Sequence, residues 1–130
     1  MRNAGWILSA LVALFLIAAS VVPKLIGAGA ALDSMTALGW PTHGLFALGM
    51  LELVLVILYL IPRTGLLGAI LLTGLLGGAM ASHIRVDSPL WSHTLFSIYL
   101  GVFIWSGLLL RDAALRAYVR QQFPGRGSRP

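Results

Sequence analysis

The residues that invite a chemical reading are few and stand in apolar surroundings. Glu52 is the only charged side chain in the run from Leu45 to Leu60, Lys24 closes a long apolar stretch, and His83 and Arg85 end another. Glu52 lies eight residues beyond Gly44, where its apolar run begins, so on a helix it sits about 12 Å deep, near the midplane of a bilayer. A carboxylate there must be protonated, paired or wetted, and such residues usually face the interior of a bundle. A buried acid together with a neutral imidazole can exchange protons with a carbonyl, quinone or enol, which makes Glu52 and His83 the candidate catalytic groups. Lys24 and Arg85 are candidates to polarise a substrate oxygen, and Thr73 and Trp105 are the remaining candidate substrate contacts.

Each of these has a plainer reading. Glu52 as a neutral acid bonded to Thr73 would only fix packing. Lys24 would snorkel, Arg85 would bind lipid phosphate or pair with Asp87, His83 would cap a helix end, and Trp105 would fill the bundle. His43, His83, His93, Asp33 and Asp87 fall on one side of the chain, but no helical pair has metal-ligand spacing, so no metal is assigned. Cysteine is absent, which excludes disulfides, thiol redox chemistry and thiolate metal sites. Phosphate-loop, dinucleotide and nucleophile-elbow motifs are missing, and no histidine pair is placed for haem. No covalent cofactor is expected, and redox chemistry would need a lipid-soluble substrate such as a quinone or a partner subunit.

The elements that must position these residues are hydrophobic helices. The chain of 130 residues is 58% hydrophobic and 10% charged, with mean hydropathy +0.92, far more apolar than a soluble domain. Four stretches are long enough to cross a hydrocarbon core: Trp6 to Val22, Gly44 to Ile61, Gly65 to Ser82 and Leu90 to Leu110. The expected fold is an all-α integral membrane four-helix bundle, one domain over residues 1–123 with a tail at 124–130 whose Gly, Ser, Arg and Pro predict disorder. The first stretch also fits a cleaved signal peptide, but its length and the spans that follow favour retention. The net charge of +5 comes from basic residues scattered between apolar runs, which fits membrane topology rather than nucleic acid.

Seven basic residues (Arg2, Arg63, Arg111, Arg116, Arg120, Arg126, Arg129) fall on one side of the spans and two, Lys24 and Arg85, on the other. Cytoplasmic flanks retain Lys and Arg, so both termini and the Arg63 turn are expected in the cytoplasm. Pro62-Arg63-Thr64 is short enough to force an antiparallel hairpin. The connection from Pro23 to His43 is expected to be re-entrant or interfacial, and the segment after Leu110 to form a short amphipathic extension at the inner surface. Ala69, Thr73, Gly77 and Ala81, with Gly74, Gly78 and Ser82 beside them, give the third span a broad small-residue face and mark it for the bundle centre. Trp6, Trp40, Trp91 and Tyr99 lie where interfacial anchors belong.

From Pro23 to Asp112 the chain resembles the DoxX-like family of small four-helix bacterial membrane proteins. The resemblance rests on Lys24-Leu25, Gly49-Met50-Leu51-Glu52-Leu53, Leu60-Ile61-Pro62-Arg63, Gly77-Gly78-Ala79, Ser82-His83-Ile84-Arg85, Trp105 and Leu110-Arg111-Asp112. It implies a multi-pass protein of the bacterial inner membrane, and association with quinone-reducing or oxidative-stress redox systems. Three readings remain open: a site for a quinone or similar lipophilic carbonyl compound in a redox assembly, a cofactor-free isomerase or cyclase, and a scaffold or assembly subunit. The expected partners are the bilayer, a lipophilic small molecule, and a second copy or a redox subunit, with no nucleic acid. A transporter is disfavoured, because four helices without an evident repeat would need to dimerise to form a pathway. Reporters fused after Arg63 and after Arg120 are expected to read as cytoplasmic and one inserted beside Asp33 as external; an external reading at Arg63 overturns the orientation.

Overall fold

A computed structural model describes residues 1–125. The expected tail therefore lies, apart from Pro124 and Gly125, outside the described residues. The first span begins as α1 (Arg2–Leu16), passes through a π-helical turn (Ile17–Val21) and continues as α2 (Val22–Ile26). The cause of the wide turn is local. Pro23 stands at the start of α2, where its ring lacks an N–H and would crowd the carbonyl one turn earlier, and an extra residue per turn relieves that clash. Gly27, with φ 65°, ends α2 in the left-handed region.

The connection contains α3 (Gly29–Ala37) and a single 3₁₀ turn (Thr42–Gly44) that leads into α4 (Leu45–Leu60). Of α3 only Met35 is buried, so it is a short cap on the outer part of the bundle rather than a member of its core. After the Pro62 turn, Thr64 Oγ1 donates to Leu58 O at 2.8 Å, and α5 (Gly65–Arg85) returns antiparallel to α4. A second π turn (Leu90–Thr94), following Pro89, opens the fourth span, which continues as α6 (Phe96–Arg111). Asp112 then breaks the helix with extended backbone and caps α7 (Ala113–Gln122) by accepting from Leu115 N at 3.0 Å.

Four helical stretches, Arg2–Leu25, Thr42–Leu60, Gly65–Arg85 and Leu90–Arg111, are long and apolar enough to cross a membrane. They close a ring in which α1 packs along α6, α6 on α5, α5 on α4, and α4 on the π turn and α2. Val12, Ala13, Leu16, Leu55, Val56, Tyr59, Ala69, Leu72, Leu100, Ile104 and Leu108 form the core. Ile7, Leu14, Phe46, Leu67, Ile70 and Val102 are exposed on the outside of this ring, an apolar rim suited to lipid and not to water. The chain is a multi-pass membrane protein.

Close approach is set by glycines that the sequence pattern did not single out. A Cβ on Gly68 would stand 2.3 Å from Tyr59 N, and one on Gly5 would stand 2.4 Å from Arg111 N. These are the α4–α5 and α1–α6 crossings. The expected small-residue centre is corrected in part: Ala69 and Ser82 of that face are buried, but Gly74, Gly77 and Gly78 are exposed, with nothing within 4 Å of an added Cβ. The α4 crossing engages the first half of α5 through Gly65, Gly68, Ala69 and Leu72, which leaves the glycine-rich second half facing outward. Gly68→Val is therefore expected to destabilise the bundle by about 2 kcal/mol or more through overpacking, with Gly78→Ala near neutral; thermal unfolding in detergent checks the order, and equal losses would contradict this crossing.

Candidate functional site

Ser20, Lys24 and Glu52 meet between the first and second spans. Lys24 Nζ lies 2.8 Å from Glu52 Oε2, and Ser20 Oγ donates to the same oxygen at 3.0 Å. Lys24 also donates to Ser20 Oγ. Ser20 and Lys24 are four residues apart, with the π turn rotating Ser20 toward α4. Gly49, one helical turn before Glu52, lets α4 come this close, because a Cβ there would stand 2.9 Å from Lys24 Cβ. Glu52 itself is only 5% exposed.

The carboxylate is used unevenly. Both partners converge on Oε2, whereas Oε1 forms no hydrogen bond and is not enclosed as a buried unpaired atom. The arrangement is an ammonium, a hydroxyl and one free carboxylate oxygen held together within the hydrocarbon. It can donate a hydrogen bond to a carbonyl oxygen and accept one from a hydroxyl.

The other sequence candidates have different partners. Thr73 Oγ1 donates to Ala69 O at 2.7 Å and accepts from Trp105 Nε1 at 2.9 Å. The expected Glu52–Thr73 bond is replaced by the Lys24 and Ser20 contacts, and Thr73 with Trp105 ties α5 to α6. Beside that tie lies an apolar groove of about 160 Å³ that includes Thr73, Gly77, Ser97 and Gly101. His83 Nδ1 pairs with Ser88 Oγ at 2.9 Å, and its ring meets His93 edge-on at 5.6 Å; no hydrogen bond joins it to Glu52. Arg85 bonds Leu38 O and stands 5.5 Å from the Trp40 ring, while Trp40 Nε1 donates to Ser82 Oγ at 3.0 Å. Arg85 thus pins the connection between α2 and α4 to α5. Among the described residues, no group of three or more His, Asp or Glu stands close enough to hold a metal.

Two polar features were missed from sequence. Ser20 was detectable in principle, four residues before Lys24 on one helix face. At the opposite end of the bundle, Tyr59 Oη donates to Ile104 O at 2.7 Å and lies 3.0 Å from Ser9 Oγ. Arg111, buried there, bonds Tyr59 O and lies between the rings of Trp6 and Tyr59 at 4.3 and 4.6 Å. Sequence treated Arg111 as a topological charge and as part of the Leu110-Arg111-Asp112 motif, without a buried role.

The profile of the DoxX-like family matches residues 7–107. The chain belongs to that family. The match begins earlier than the quoted motifs and so includes the first span, which contributes Ser20 and Lys24 to the triad. No curated protein and no solved structure matches the chain.

Lys24→Met strands the Glu52 carboxylate and is expected to cost about 3 kcal/mol. Glu52→Gln, whose amide oxygen still accepts from Lys24 and Ser20, is expected to cost less. Melting temperatures in one detergent check the order, and a more stable Lys24→Met variant would show that the pair does not hold the first two spans together.

Proposed function

We propose that this DoxX-like membrane protein binds a lipid-soluble carbonyl compound of the quinone class at Ser20, Lys24 and Glu52, in association with membrane redox chemistry. The observation that carries the reading is the free Glu52 Oε1 beside a lysine ammonium, well inside the span Thr42–Leu60. In that site Lys24 donates to the ligand's carbonyl oxygen, and the free carboxylate oxygen accepts from a hydroxyl once the ligand is reduced. A ligand that carries its own redox chemistry suits a chain without cysteine; the electrons would pass between ligand and a partner subunit, and the triad would handle protons.

The isomerase or cyclase reading is less favoured, because His83, the expected counterpart of Glu52, is engaged with Ser88 and His93. The scaffold reading keeps one specific support: the triad also ties α2 to α4 and would stabilise the bundle without a ligand.

Mass spectrometry of organic extracts from the detergent-purified protein distinguishes these readings. Quinone enriched with the wild type and lost from Glu52→Gln is the expected result. A different carbonyl metabolite, lost in the same variant, would transfer the proposal to acid–base catalysis. No lipophile enriched in either protein would overturn it in favour of a scaffold.

A further inference from the structure

The helix after the last span has an apolar face that the bundle leaves uncovered. On α7, Leu115 packs against the core, but Tyr118 is 59% exposed, Val119 36%, and Phe123, just past its end, 79%. At 100° per residue Leu115, Tyr118 and Val119 share one side, Arg116 flanks it and Arg120 lies further round on the polar side. From residue 113 to the end of the sequence there are four arginines and no acidic residue. This is the pattern of a helix lying in a membrane interface, its apolar side down and its cations among headgroups.

Its attachment fixes where that face can go. The break at Asp112 turns the chain directly at the end of a membrane span, so α7 starts at the membrane boundary. Arg116 reaches back to the carbonyls of Leu109 and Leu110, the last turn of α6. The helix is held beside the bundle end and has no freedom to trail away. The same end carries Arg2 and the Arg63 turn, with Asp112 as the one acid near α7, so the surrounding field is predominantly basic.

We infer that α7 is a docking surface for anionic phospholipid: Tyr118, Val119 and Phe123 insert at the acyl boundary and Arg120 binds headgroup phosphate. Anionic lipid rather than lipid in general is indicated because the apolar face is only three side chains wide beyond Leu115 and the only charges on α7 are the cations Arg116 and Arg120. Each such cation near an anionic surface strengthens attachment about fivefold.

The chain has no cysteine, so a single cysteine gives a unique labelling site. An environment-sensitive fluorophore at Val119, or at Ala117 on the opposite side, is followed in nanodiscs of phosphatidylcholine alone or with added phosphatidylglycerol. The expected result is blue-shifted, quencher-protected emission at Val119 and not at Ala117, in the anionic discs only, weakened by salt. Arg120→Gln should lower the docked-to-free ratio about fivefold and Arg120→Lys should restore it; the melting temperature of the bundle reports independently that each variant is folded. Protection that is equal in neutral and anionic discs overturns the inference. So does a label at Val119 that stays in water in both, an outcome that would leave the face to a protein partner.

Discussion

A charge inside hydrocarbon needs a partner, and the geometry of the first two spans follows from meeting that need for Glu52. The Lys24–Glu52 contact at 2.8 Å requires Lys24, near the end of one span, to reach toward the middle of another. Three local features make it possible. Pro23 widens the preceding turn and brings Ser20 round to the carboxylate; the i, i+4 spacing places Lys24 beside Ser20; and Gly49 removes the side chain that would hold α4 away from the lysine stem. None is unusual alone. Together they convert a costly carboxylate into a link between two spans whose other polar contact is Ser9 with Tyr59.

The opposite end of the bundle treats its buried charge differently. Arg111 has aromatic faces on either side and a carbonyl in front, and its Nη1 is buried without a hydrogen-bond partner. Its charge is accommodated by ring quadrupoles and a helix C-terminus. This end is also where backbones come closest, through Gly68 against Tyr59 and Gly5 against Arg111. One end is therefore tightly packed around a cation, while the triad lies where the chain departs from regular helix. Departures of that π-helical kind occur frequently at functional sites.

Span lengths, the hairpin and the family were legible because each depends on local composition: about twenty apolar residues make a span, and Pro62-Arg63-Thr64 permits no other connection. The position of Glu52 within its span was legible for the same reason. Its partners were not all accessible, because pairing depends on the rotation of each helix about its axis, which hydropathy does not encode in a segment apolar on every side. The glycine-rich half of α5 illustrates this. Its spacing matched a packing face, yet contact is made by Gly68 and its neighbours, since the Tyr59 backbone crosses there. Histidine pairing failed for a related reason: placing His83 and Glu52 on the same half of the bundle does not bring them together, and a nearer serine and a second imidazole took up the ring.

The two buried polar clusters separate what packing requires from what it does not. Ser9, Tyr59 and the Ile104 carbonyl make a neutral network inside the core, with the tyrosine hydroxyl both donating and accepting. That is a sufficient polar lock for a bundle. Ser20, Lys24 and Glu52 are charged, and a buried ion pair is often no more stabilising than apolar residues of similar volume. Elsewhere this bundle brings helices together with close glycine contacts and single hydrogen bonds such as Trp105 to Thr73. A charged triad that leaves Glu52 Oε1 without a bond is therefore not explained by packing alone, and that is the physical ground for the proposed ligand site.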